Sequence, residues 1–321
     1  MTARVPLLLG TALFGAEGAL GTRNHDLTEC QEILDVFYTH GGRQLDASRL
    51  YGSGTTEEYL GKLNLRDSII DTKIFPEKPG DHSPERLRTI FQSSLKALNR
   101  SKVRVFYLHA PDRSVPFEDT LAEVDALYRE GLFEIFGLSN FPAWEVAEIV
   151  GICKARGFVL PGVYQGMYNA ITRNIEAELI PCIRKFGLRL FVYNPLAGGF
   201  FAGKLSSPED SGPTGGRFDS NTGFGKLYRQ RYIKSANFQA LELIKPVAEK
   251  YSLRLTEIGL RWVQHHSALT PEDGVILGAS SSTQLDQNCA DSAKGPLPDE
   301  VVQVLDEAWN LCKADSVNYW R

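Results

Sequence analysis

The 321-residue sequence predicts an α/β fold, a single closed (β/α)8 TIM barrel over residues 1–321 with long loops at its C-terminal face. Three observations predict it. Eight short apolar runs alternate with helical segments along the chain, which demands a parallel sheet covered by helices. No shift in composition divides the chain. The first run leads into Leu9-Gly10-Thr11-Ala12-Leu13-Phe14-Gly15 rather than G-x-G-x-x-G, which disfavours a doubly wound open sheet.

Val5 to Gly10 is an apolar run stopped by glycine, suiting a strand buried on both faces. Asp26 to Thr39 carries Leu27, Ile33, Leu34 and Phe37 at helical spacing and stops at Gly41-Gly42. Gln44-Leu45-Asp46 is the second strand, Thr56 to Leu63 a helix and Ser68 to Ile74 the third strand. Ser83-Pro84-Glu85 opens a helix with a cap, a proline in the first turn and early negative charge; it runs to about Leu98. Val103 to His109 is the fourth strand, Phe117 to Glu130 a helix, Phe133 to Leu138 the fifth strand and Ala143 to Arg156 a helix. Val163-Tyr164-Gln165 is the sixth strand, Glu176 to Phe186 a helix and Leu188 to Tyr193 the seventh strand. Asn194 to about Gly225 reads as one long irregular stretch, with eight glycines and three prolines. Helices near Asn237–Tyr251 and Thr256–His265 precede the eighth strand, Gly274 to Leu277, and helices from Ser282 and Pro298 close the chain.

With 43% hydrophobic and 23% charged residues, the chain has ample material for a core. A net charge of −4 and the lack of any basic block argue against nucleic-acid binding. Met1 to Gly10 is apolar but short, contains Pro6 and has no cleavage pattern, so it reads as neither signal peptide nor membrane span. Cys30, Cys153, Cys182, Cys289 and Cys312 are scattered and never form C-x-x-C. Reduced thiols in a cytoplasmic protein are expected, without a thiol-bound metal.

Chemistry in a barrel of this type gathers where strands end and loops begin. Asp46 ends the second strand, Lys73 lies near the end of the third and His109 ends the fourth; Tyr51 follows Asp46 at the start of a glycine-rich turn. Neighbouring strands lie about 5 Å apart, so these side chains are expected to converge. Asp46 would offset the cost of burying the Lys73 charge. The ammonium would lower the Tyr51 pKa from its ordinary value near ~10, making the phenol a general acid. His109 would donate a hydrogen bond to the oxygen being protonated. Taken singly, these residues read more plainly as a barrel-mouth ion pair, a turn histidine and a packed tyrosine. His265-His266 are consecutive, point to different sides of a helix and cannot act as an i, i+4 metal pair. Gly212 to Gly216 lacks the Lys-Ser/Thr of a phosphate loop.

Asp46, Tyr51, Lys73 and His109, with Leu108-His109-Ala110-Pro111-Asp112 and Gly137-Leu138-Ser139-Asn140-Phe141, resemble the aldo-keto reductase superfamily. The chain is most similar to the branch of aflatoxin-aldehyde and succinic-semialdehyde reductases. That branch is matched by Val163 to Ala170, by Tyr193-Asn194-Pro195-Leu196-Ala197-Gly198-Gly199 and by Asn318-Tyr319-Trp320-Arg321. The resemblance runs from about Leu9 to Arg321. It implies NADPH-dependent reduction of an aldehyde, with Asp46, Tyr51, Lys73 and His109 catalytic and no metal. It places Ser139, Asn140 and Gln165 on the nicotinamide carboxamide and Tyr193 against the ring. Asn194 to Lys204, including Pro195, Leu196 and Gly198, would wrap the pyrophosphate. Ser280, Ser282, Gln284, Gln287 and Asn288 would receive the adenosine end, and Arg217 would supply a charge that the stretch from Leu277 to Asn288 lacks. His109, Tyr228, Arg231 and Arg321 would line the substrate pocket and favour a small aldehyde acid such as succinic semialdehyde. The branch also implies a homodimer. Thr11 to Gly15 and Gly223-Phe224 depart from its methionines and tryptophan. Two rivals remain: a cofactor-binding regulatory or scaffold barrel with little turnover, and a metal-dependent barrel hydrolase, for which His109 is the only histidine at a strand end.

Overall fold

Eight parallel strands close into a barrel in chain order: β1 (Leu7–Gly10), β2 (Gln44–Asp46), β3 (Ile69–Ile74), β4 (Val103–Leu108), β5 (Phe133–Ser139), β6 (Pro161–Met167), β7 (Arg189–Tyr193) and β8 (Gly274–Leu277). The computed structural model describes residues 3–205, 207–212 and 214–321; Met1 of the apolar opening, and Ser206 and Pro213 of the long loop, lie outside the described residues. Each of the first six strands is followed by a covering helix: α1 (Leu27–Thr39), α2 (Thr55–Leu60), α3 (Pro84–Ala97), α4 (Phe117–Arg129), α5 (Ala143–Arg156) and α6 (Leu179–Lys185). Three more helices stand between β7 and β8: α7 (Gly223–Tyr232), α8 (Ser235–Lys250) and α9 (Leu255–His265). After β8 come α10 (Ser282–Ser292) and α11 (Asp299–Cys312). Among the described residues, no helix is long and apolar enough to cross a membrane.

The pleat decides which side chains face the barrel axis. Gln44 and Asp46 of β2 register with Ile69 and Asp71 of β3, and Lys73 of β3 with Tyr107 of β4. Gln44 Nε2 donates to Asp71 Oδ2 at 2.7 Å; burial pushes the Asp71 carboxyl up to about 7. Leu8, Val105, Tyr107, Val163, Phe191 and Ile276 form a separate apolar cluster from five strands that plugs the barrel. Gly137 of β5 makes room for it, because a Cβ there would stand 2.3 Å from the Tyr107 ring. Residues of the opposite parity face the helices: Thr72 Oγ1 donates to the fully buried Glu57 at 2.6 Å. Phe106 meets Phe91 of α3 with ring centroids 4.3 Å apart.

The expected strands and helices are present with ends moved by a few residues: α2 stops at Leu60 rather than Leu63, and α6 begins at Leu179 rather than Glu176. The larger correction falls in the long stretch after β7. It contains a 3-10 turn over Ala197–Ala202, and it ends in α7, a helix absent from the expected elements that carries Tyr228 and Arg231. Thr222 starts that helix by accepting from Gly225 N at 2.9 Å. Glycines at 223 and 225 hide it, since propensity alone counts about 1 kcal/mol against each in a helix.

Candidate active site

The C-terminal ends of β2, β3 and β4 bring three ionisable residues together. Lys73 Nζ, fully buried, donates to Asp46 Oδ1 at 2.5 Å and to the Ala47 carbonyl at 2.8 Å. Gln165 Nε2, at the end of β6, donates to the same Asp46 oxygen at 2.7 Å. After Asp46 the chain turns back over β3, with Arg49 N donating to Lys73 O at 3.0 Å, and enters a 3-10 turn at Tyr51. That turn is pinned by Arg49, whose guanidinium pairs with buried Glu57 at 2.9 Å. Gly54 adopts φ +95°, and a Cβ on it would lie 2.3 Å from the Arg49 guanidinium, so a glycine is required there. The turn sets the Tyr51 ring 5.0 Å from Lys73 Nζ and edge-on to His109, with centroids 5.9 Å apart.

Electrostatics departs from expectation at Tyr51. Burial, then the negative charge of Asp46, pushes the phenol well above its ordinary value, the reverse of the expected lowering. Lys73 is bonded directly to Asp46, whose negative charge offsets part of the ammonium's field at the phenol. Burial also lowers the Lys73 pKa against the opposing pull of Asp46. His109 is held well below its ordinary value by burial and by the charges of Lys73 and Arg321, so its ring is neutral at pH 7. Its Nδ1 lies 3.1 Å from Ser48 Oγ.

Above this floor opens a cavity of about 600 Å3, a size that suits a small-molecule ligand. Asp46, Tyr51 and His109 line one end, with Tyr228, Arg231 and Arg321 around them. Tyr228 accepts from Arg217 Nη1 at 2.9 Å, and Arg217 and Arg231 sit 4.9 and 5.4 Å from its ring centroid. Burial raises the Tyr228 pKa, but these two cations outweigh it and leave the phenol below its ordinary value. Asn140, Gln165 and Tyr193 line the middle. Asn140 and Asn194 hold left-handed backbone, φ +62° and +57°, which asparagine tolerates better than most residues. Asn140 is engaged on three sides, donating to His109 O at 2.7 Å and Ser139 Oγ at 3.0 Å and accepting from Tyr193 OH at 3.2 Å.

The cavity continues past Asn194, Pro195, Leu196, Gly198 and Arg217 to Ser280, Gln284, Gln287 and Asn288. Ser281 caps α10, and Ser280 Oγ donates to Gln284 Oε1 at 3.0 Å. Three residues placed in the cofactor set do not line the cavity. Ser139 is buried behind Asn140, Lys204 is exposed after the 3-10 turn, and Ser282 lies one position inside α10. Side chains outside the expected set do line it: Leu20 and Arg23 from the β1–α1 loop, Phe75 and Arg254. Phe75 directly follows β3, and the strand-end rule could have found it. Leu20, Arg23 and Arg254 carry no local signal. His265 and His266 are engaged separately, with the Lys294 carbonyl at 2.7 Å and Leu297 N at 2.9 Å.

Residues 6–310 match the aldo/keto reductase family. Among its relatives, aflatoxin B1 aldehyde reductase member 2 of Mus musculus is 42% identical over 99% of this chain and 88% of its own length. Aldo-keto reductase family 7 member A3 of Homo sapiens is 42% identical over 93% of this chain and 94% of its own. Aldo-keto reductase pigE of Monascus ruber is 39% identical over 97% and 96%. Strand-end geometry, near-complete family coverage and full-length relatives agree: the chain belongs to the aldo/keto reductase family of oxidoreductases.

Proposed function

We propose that the protein reduces aldehydes with NADPH and that Tyr51 donates the proton. The observation that carries this reading is the buried Asp46–Lys73 pair at 2.5 Å beside Tyr51 and His109, which line the cleft. The cleft fits a nicotinamide dinucleotide. Tyr193 offers a flat face, Asn140 and Gln165 offer amide groups, and the far end is lined by hydroxyl and amide groups. When bound, the nicotinamide supplies the hydride. Tyr51, kept protonated by its surroundings, gives its proton to the substrate oxygen as that becomes an alkoxide, a stronger base than phenolate. Lys73, 5.0 Å from the ring, stabilises the phenolate left behind. His109 holds the same oxygen by a hydrogen bond.

Preference for NADPH needs cations at the phosphate-bearing parts of the cleft. Arg217 lines it, and Arg254 from the start of α9 reaches the adenosine end beside Gln287 and Asn288. Kinetics of NADPH and NADH oxidation over a panel of aldehydes tests the whole reading. Aldehyde-dependent oxidation is expected, whereas NADPH binding without turnover of any aldehyde would favour the scaffold reading. Arg217→Ala and Arg254→Gln should each raise KM for NADPH about 10-fold and move KM for NADH little. Equal changes for both cofactors would remove these arginines from phosphate recognition.

The substrate end favours an aldehyde that carries a carboxylate. Arg231 stacks on Tyr228 and Arg321 on Phe75, and the groups bearing on their charges are tyrosines and each other rather than carboxylates. A carboxylate on the substrate would supply the missing partner through charge-assisted pairs worth about 1.5–3 kcal/mol. Arg321→Ala should therefore raise KM for a small aldehyde acid such as succinic semialdehyde roughly 10–100-fold while sparing a neutral aldehyde of equal length. If both substrates suffer alike, Arg321 holds the fold rather than the ligand. Five free cysteines suit a reducing, cytoplasmic setting, and a homodimer, measurable by light scattering, belongs to the same reading.

A further inference from the structure

We infer that Ser48 is a positioning residue for His109: its hydroxyl donates to Nδ1 and holds the imidazole with its proton on Nε2. This rests on the reading of His109 as the group that meets the substrate oxygen. Ser48 is fully buried in the turn between Asp46 and Tyr51. Its Oγ lies 3.1 Å from His109 Nδ1, 3.2 Å from the Lys73 carbonyl and 3.3 Å from Leu50 N. A hydroxyl has one proton and two lone pairs, and the Leu50 amide takes one of the lone pairs. Two acceptors then compete for the single proton. The Lys73 carbonyl is already served by Arg49 N at 3.0 Å, whereas Nδ1 has no other partner among the described residues.

The ring is neutral, so one nitrogen carries the proton and the other a lone pair. A carbonyl oxygen has only lone pairs to offer, and the Nε2–H form alone can bond it. Among the described residues no carboxylate bonds the imidazole, and Asp46 Oδ1 takes Lys73 and Gln165 instead. Ser48 takes that part, itself held by the Leu50 amide that donates to its oxygen at 3.3 Å.

The test combines nitrogen-15 NMR of histidine-labelled protein with steady-state kinetics, using His109→Gln to identify the His109 resonances. In the unsubstituted protein at neutral pH, Nε2 should give the protonated, pyrrole-type signal and Nδ1 the pyridine-type signal. Ser48→Ala should show mixed tautomers and a kcat for aldehyde reduced roughly 10-fold, with KM for NADPH unchanged. Ser48→Thr, which keeps the hydroxyl, should restore both the tautomer and kcat. A His109 ring protonated on Nδ1, or full kcat in Ser48→Ala, overturns the inference. The spectrum of the unsubstituted protein decides the tautomer even if Ser48→Ala does not fold. It is also read without turnover: a protein with the Nε2–H ring but no reductase activity would sink the proposed function and leave the tautomer assignment standing.

Discussion

Tyr51→Phe is expected to lower kcat for aldehyde reduction by about 10²–10⁴ while NADPH affinity, followed by titration of protein fluorescence, stays nearly unchanged. The substitution removes one hydroxyl and little else. A phenyl ring can keep the edge-on contact with His109 and the 5.0 Å approach of Lys73 Nζ, so the turn that presents it should hold. His109 is a poor replacement donor, because burial and nearby cations keep its ring neutral at pH 7. Turnover close to that of the unsubstituted protein would remove Tyr51 from proton transfer and pass the role to a water molecule.

Lys73→Met is expected to be as damaging to kcat and, unlike Tyr51→Phe, to weaken the fold. Lys73 is 0% exposed and Asp46 2% exposed, so removing the ammonium leaves a buried carboxylate whose remaining side-chain partner among the described residues is the Gln165 amide. Breaking a buried pair in this way costs about 3–5 kcal/mol, readable as a shift in urea midpoint. The double variant Asp46→Asn/Lys73→Met separates the two effects. With no unpaired charge left, it should recover much of the stability yet remain inactive, since nothing then stabilises a phenolate at Tyr51. Recovered turnover in the double variant would show that the ammonium is dispensable to the chemistry.

The alternation of eight apolar runs with helices is a local, repeated signal, and it located the barrel, its strand order and the ends of β2, β3 and β4. Because parallel strands side by side must bring their C-terminal ends together, the meeting of Asp46, Lys73 and His109 followed from position in the chain. Asn140, Gln165 and Tyr193 were placed by the resemblance to the family, and all three line the cleft.

Tertiary structure alone decided the rest. Leu20, Arg23 and Arg254 join the cleft because loops distant in sequence fold over it, and no periodicity reports where a loop will lie. The glycines at the start of α7 concealed a helix whose Thr222 cap and packing outweigh propensity. Ser139 and Ser282 do not line the cavity, although neighbours one step along the chain, Asn140, and two steps along, Ser280 and Gln284, do. The Tyr51 phenol makes the same point in energy. Its sequence neighbours suggested a lowered pKa, but the sign depends on how deeply the ring is buried and on whether Lys73 is already paired. Both are properties of the assembled site, because desolvation and charge cancellation act through space and have no counterpart along the chain.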